Sequence, residues 1–234
     1  ILKERKYVII NFLIIIQEDN MGKLVMIILT KSSKFSAKCV AGINVENGEW
    51  VRLVSDDVEK HGAIPDYKLQ TDTREVCILD VVEVPIIGRC GDLLQPENVM
   101  IDKTEKMKII DRVTLQDVLK IHPKENGDYK YILGNPYMYV SEDTINDVHR
   151  SLTLVKVKNL IIRQVVTPEQ KKKTKACFFY RGDYYENIPV TDPDFYNVLD
   201  NSFCKSAYLV VSIGTPYNNK YYKFVAKIFV TEDD

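Results

Sequence analysis

The chain has 234 residues, 45% of them hydrophobic and 28% charged, with a formal net charge of −1. That balance excludes an intrinsically disordered chain and supplies no global attraction to nucleic acid or membrane. The five cysteines are odd in number and lack a C-x-x-C pair, and the three histidines lack metal-ligand spacing. A disulfide framework, a zinc ribbon and a histidine metal site are therefore not expected, nor is a cofactor; reduced thiols in a cytoplasmic protein are.

Residues 1–20 differ in character from the rest of the chain. Lys3, Arg5 and Lys6 precede an apolar run from Val8 to Ile16 that imitates a signal peptide. The run is too short to span a bilayer, and Gln17-Glu18-Asp19 stands where a small-residue cleavage site belongs. The segment Gln17 to Met21 can be encoded by codons that hold a bacterial ribosome-binding site ahead of ATG. Residues 1–20 are accordingly expected to be a translated leader or disordered extension, with Met21 as the start.

From Met21 a strand is expected over residues 23–30, then a hairpin of residues 37–45 and 49–55 around Asn47-Gly48, the sequence of a type I′ turn. That turn sets Val45 opposite Trp50, Ile43 opposite Arg52 and Ala41 opposite Val54. Neither face of the hairpin is cleanly polar, so both are expected to be covered, as in a small closed barrel. A fourth strand is expected over residues 75–85, and a helix from Thr114, with Asp117 at the capping-box position, to about His122. Residues 137–140 suit a short strand.

The second half reads as a strand over residues 152–166, a hairpin of residues 175–180 and 184–190, a helix from Pro193 to about Leu199, and strands over residues 207–213 and 221–230. Three strands, a helix and two strands is the order of an OB-fold, a five-stranded barrel. The first half, with a larger insertion, reads the same way. The fold class is mainly β with short helices, in two tandem OB-like barrels over residues 21–150 and 151–234.

Several short matches add to this. They are Ser33-Lys34, Cys39-Val40-Ala41-Gly42, Trp50-Val51-Arg52-Leu53-Val54-Ser55, Leu79-Asp80-Val81-Val82 and Gln95-Pro96-Glu97-Asn98. In the second half they are Val190-Thr191-Asp192-Pro193, Val211-Ser212-Ile213-Gly214 and Tyr222-Lys223-Phe224-Val225-Ala226. In this collinear order the chain resembles the dual OB-containing domain family of prokaryotes from Met21 to Val230. It departs at Leu53, where proline is expected, and at Lys227, where a small residue is. The resemblance implies two tandem OB-like barrels and a nucleic-acid-binding role.

Candidate contacts are read from residue type. Trp50 and Arg52 share a face and could stack a base and hold a phosphate, or fill the barrel and pair with a rim carboxylate. Lys31, Ser32, Ser33 and Lys34 are expected in the loop before the second strand, a position from which OB-folds reach ligands. Tyr221, Lys223 and Lys227 are expected on the solvent face of the last strand, with Tyr222, Phe224, Ala226, Ile228 and Val230 in the core. Lys175, Phe179 and Arg181 extend that interleaving of basic and aromatic residues. Residues 151–234 carry 12 Lys and Arg against 9 Asp and Glu, which favours the second half for anion contact. Glu97 and Asn98 are the polar candidates, but no second carboxylate, nucleophile elbow or phosphate loop accompanies them.

The leading expectation is a non-catalytic module that binds single-stranded or structured DNA or RNA. The alternative is an accessory or regulatory protein that holds a small ligand or protein partner through its barrel faces. A hydrolase using Glu97 stands third.

Overall fold

The computed structural model describes residues 22–34, 36–122, 129–196 and 202–231, so the expected leader lies outside the described residues. The first unit contains β1 (Lys23–Lys34), β2 (Ala37–Asn44), β3 (Trp50–Val54), β4 (Asp80–Arg89), β5 (Asn98–Ile101) and β6 (Lys108–Arg112), followed by helix α1 (Leu115–Ile121). Strand β1 pairs with both β2 and β4, and β3 pairs in parallel with β5, so β1-β2-β3-β5-β4 closes on itself with β6 on the flank of β4.

The second unit contains β7 (Tyr139–Ser141), β8 (Leu152–Val166), β9 (Lys172–Tyr180), β10 (Asp183–Pro189), β11 (Ser202–Ile213) and β12 (Lys220–Val230). Its sheet runs β10-β9-β8-β11-β12-β7, and a parallel bridge from Val190 to Val225 curls its first and fifth strands toward each other. Both units are OB-like. The second core reaches back along the chain to Ile132, Val140 and Ile145.

The residues of β1 explain how the units meet. Met26 and Ile28 point into the first barrel, while Val25, Ile27 and Leu29 point out of it. The outward set is not solvated. It packs with Ala41 and Ile43 of β2 against Leu152, Leu154, Val210 and Ala226 of the second unit, a third apolar core between the barrels. A strand covered on both faces reads as a continuous apolar run, as residues 24–29 do. Gly42 is where β2 comes closest: a Cβ there would stand 1.8 Å from the Ile27 carbonyl oxygen.

Polar groups cross the same junction. The Arg52 guanidinium donates to Ser151 Oγ at 2.6 Å and stands 3.3 Å from Glu97, and Ser151 Oγ donates in turn to Glu97. Within the second unit, Asp192 accepts from the Ile228 N–H at 2.9 Å and faces the Lys227 ammonium at 3.2 Å; Lys227 also pairs with Asp194. Burial raises the Asp192 pKa, against the pull of the Ile228 N–H and Lys227.

Four local expectations are corrected. The β2–β3 hairpin pairs Ile43 with Trp50 and Ala41 with Arg52, two residues out of the expected register. The loop is longer than a type I′ turn because the Asn44 side chain accepts from the Glu46 N–H and its carbonyl from the Gly48 N–H. A shift of two leaves every side chain on its expected face. Strand β4 begins at Asp80, not Glu75, because the buried Asp80 carboxylate gathers Arg74 at 2.6 and 2.9 Å, Arg112 at 3.2 Å and the Cys77 N–H at 2.7 Å, which folds the preceding loop around it. Helix α1 has the expected capping box between Thr114 and Asp117. The turn after Asp192 is a single 3-10 turn, Pro193–Phe195, and residues 197–199 lie outside the described residues.

The fourth correction concerns β12. Tyr221, Lys223 and Lys227, expected to face water, are buried, at 8%, 1% and 9% exposure. Tyr221 and Val225 enter the second core, and a bulge between the Val211–Val225 and Val210–Lys227 pairs then shifts the alternation so that Ile228 also points inward. An extra residue in one strand reverses which side the subsequent residues face, and nothing in Tyr221 to Val230 marks where it falls. Lys223 is satisfied by Asn135, donating to its carbonyl and, at 2.9 Å, to its side-chain oxygen, with the Tyr185 ring 5.7 Å away.

These buried charges make stability depend on pH in two separate windows. Burial would raise the Asp80 pKa, but its hydrogen bonds to Arg74 and Cys77 and the charges of Arg74 and Arg112 bring it below 3.8. Its stabilising contribution is therefore complete above that value and is lost as pH falls through the folded-state pKa. Asp80→Asn should cost roughly 1.5–3 kcal/mol in urea unfolding at neutral pH and flatten the acid limb of the stability curve. Burial lowers the Lys223 pKa from 10.5 to about 7. Between those values the unfolded chain binds the extra proton, so stability rises with pH in that window and is flat below it. Lys223→Met should abolish the rise, read from urea midpoints on either side of the window.

Candidate nucleic-acid interface

Strand β8 alternates in the stretch Leu154-Val155-Lys156-Val157-Lys158. Val155 and Val157 enter the second core, while Lys156 and Lys158 stand exposed on the outer face. Pairing then fixes their neighbours. Phe179 of β9 lies opposite Lys158 on one side and Tyr184 of β10 on the other, and Tyr208 of β11 lies opposite Lys156. The Phe179 and Tyr184 rings are 40% and 47% exposed, with centroids 5.0 Å apart, although an aromatic pair of this size is ordinarily covered.

Lys156 Nζ lies 5.7 Å from the Tyr208 ring centre. Arg181, at the β9–β10 turn, holds its guanidinium 5.8 Å from the Tyr180 ring. Lys156, Lys158, Phe179 and Arg181 line one open groove of about 610 Å³. Among the described residues none of the three cations is in an ion pair. Further along the same face Lys175 lies opposite Arg163, whose guanidinium donates to Asn187 at 2.8 Å. Burial and the neighbouring Lys173 charge lower the Lys175 pKa. Strands β9 and β10 are the second and third of this barrel, the strands on which OB-folds hold oligomeric ligands.

The other candidate residues are placed elsewhere. Arg52 and Glu97 face each other at 3.3 Å in the junction, with Glu97 buried. Asn98 donates to Gln95 at 3.2 Å, while its side-chain oxygen is buried with no partner among the described residues. Trp50 is half-buried against the junction core and meets the His122 ring edge-on at 5.4 Å. Residues 31–34 extend β1, paired with β2, and do not form the expected loop; Lys31 pairs with Glu75 and donates to the Val76 carbonyl. Ser33 lines a cleft between the barrels, and the Lys34 side chain lies outside the described residues. Tyr221, Lys223 and Lys227 are interior.

Of the sequence candidates, then, Phe179 and Arg181 are brought together, with Lys175 on the same face. Lys156, Lys158, Tyr184 and Tyr208 were missed. The signal for the lysines was present: two charges two residues apart between valines mark the exposed side of a strand. The tyrosines carried no such signal, since only cross-strand pairing puts them beside Phe179 and Lys156.

Among the described residues no group of three metal-ligating side chains occurs, and no helix is long and apolar enough to cross a membrane. No curated protein and no solved structure matches the chain. A family model does, the dual OB-containing domain, over residues 24–228. That span runs from β1 to β12, and the chain belongs to the dual OB-containing domain family.

Proposed function

We propose that the protein is a non-catalytic, cytosolic module that binds single-stranded nucleic acid on the outer face of β8, β9 and β10. Phe179 and Tyr184 offer stacking surfaces to bases, and Lys156, Lys158 and Arg181 take phosphates. The observation that carries this reading is the half-exposed Phe179–Tyr184 pair set among three cations that no described carboxylate neutralises. Exposed aromatic faces beside unpaired cations suit a ligand that alternates π-faces and negative charges, and stacking accepts any base. A net charge of −1 does not oppose this, because binding depends on the local field of the groove.

The test is fluorescence anisotropy of a labelled random-sequence single strand across a salt series. Log affinity should fall linearly with log salt, and the Lys156, Lys158 and Arg181 triple change to Ala should flatten the slope by roughly 0.7 per lost contact. Phe179→Ala should weaken binding by about 1–3 kcal/mol with little change in slope. Both variants should keep the parental thermal midpoint, since the altered side chains are exposed. Parental binding by both folded variants, or no binding at low salt, would remove the reading.

A further inference from the structure

A second site lies where the two barrels meet. The cleft there has a volume of about 350 Å³, with Ser32, Ser33 and Arg52 on the first-barrel side and Thr215, Tyr217 and Phe224 on the second. A neighbouring pocket of about 610 Å³ is lined by Lys172, Lys173 and Lys175. The two share Thr191 and Phe224 as walls, so they adjoin across an aromatic ring. Gly214 permits that placement: a Cβ on it would stand 2.7 Å from Phe224 Cε2, so the ring lies against bare backbone. The flanking loops, residues 167–171 and 214–219, join the first to the second strand and the fourth to the fifth strand of this barrel, the loops that border OB ligand sites.

The halves of the groove differ in charge. Among the described residues that line the cleft the one cation, Arg52, is already matched by Glu97 at 3.3 Å, which leaves hydroxyls and aromatic faces for an uncharged, hydrogen-bonding, flat group. In the pocket none of the three lysines is in an ion pair among the described residues; Glu169 feels the Lys173 charge without pairing with it. Lys175 is partly buried beside Lys173, an arrangement that an anion relieves.

We infer that this groove is a site for one nucleoside monophosphate unit, its base in the inter-barrel cleft beside Phe224 and its phosphate on Lys172, Lys173 and Lys175. Such a unit joins a neutral planar ring to an anion, in the order in which the groove joins a neutral cleft to a basic pocket. The site lies at the β8–β9 end, where Lys175 continues the outer face, and shares no lining residue with the groove of Lys156, Lys158, Phe179 and Arg181. The same chemistry is offered by a free nucleotide and by the phosphorylated end of a single strand.

Calorimetric titration of the full chain with AMP and UMP, adenosine, and inorganic phosphate tests the first source. Labelled short oligonucleotides with a 5′-phosphate or a 5′-hydroxyl test the second. Binding of a monophosphate at least about tenfold tighter than of adenosine or phosphate alone supports the inference with a free nucleotide as occupant. If the mononucleotides do not bind, a preference of similar size for the 5′-phosphorylated strand supports it with the strand end as occupant. In either case Lys172→Ala with Lys173→Ala should remove the gain from the phosphate, and Ser33→Trp, which fills the cleft, should remove the contribution of the base. Phe179→Ala should leave both effects intact, so loss of the outer-face site and loss of this one are told apart. Equal binding of adenosine and AMP, no 5′-phosphate preference together with no mononucleotide binding, or parental behaviour of both folded groove variants would overturn the inference.

Discussion

Strand β1 belongs to two cores at once, and the rest of the molecule depends on that. Met26 and Ile28 fill the first barrel while Val25, Ile27 and Leu29 face the second unit. Each fully buried aliphatic side chain of this kind contributes about 1.5–3 kcal/mol. Because both sides of the strand are covered, the barrels do not behave as beads on a linker: Leu152, Leu154, Val210 and Ala226 of the second unit complete a surface that would otherwise lie open on the first. The functional consequence is positional. The cleft that separates Ser33 and Arg52 from Tyr217 and Phe224 exists only because the apolar junction holds those walls apart at a fixed spacing.

The polar groups of the junction set its register more than its strength. A buried ion pair such as Arg52–Glu97 gives back in attraction much of what it loses in hydration, but either partner left alone would be costly. Ser151, the residue just before β8, ties that pair to the second unit, and within that unit Asp192 ties the end of β10 to β12 through Lys227 and the Ile228 N–H. Arg52, Lys223 and Lys227 are occupied internally, whereas Lys156, Lys158 and Arg181 on the outer face and Lys172, Lys173 and Lys175 at the β8–β9 end are in no ion pair among the described residues.

Local pattern was enough for much of this. The β8 span, the β9–β10 hairpin, the Thr114–Asp117 capping box and the OB order of strands arise from alternation, turn residues and caps, all of which act within a few residues. The fold class and the exposed position of Phe179 and Arg181 were legible for the same reason. What the sequence could not determine was anything set across the chain. The inward turn of Lys223, beside Tyr221 and Val225, is invisible because two lysines mark that alternation as the solvent face, and its acceptor, Asn135, lies in another segment. The partners of Arg52 and Asp80, and the pairing of Phe179 with Lys158 and Tyr184, were decided by strand order and register. Those come from packing two barrels on one shared strand, and a one-residue change of register moves a side chain from water to core.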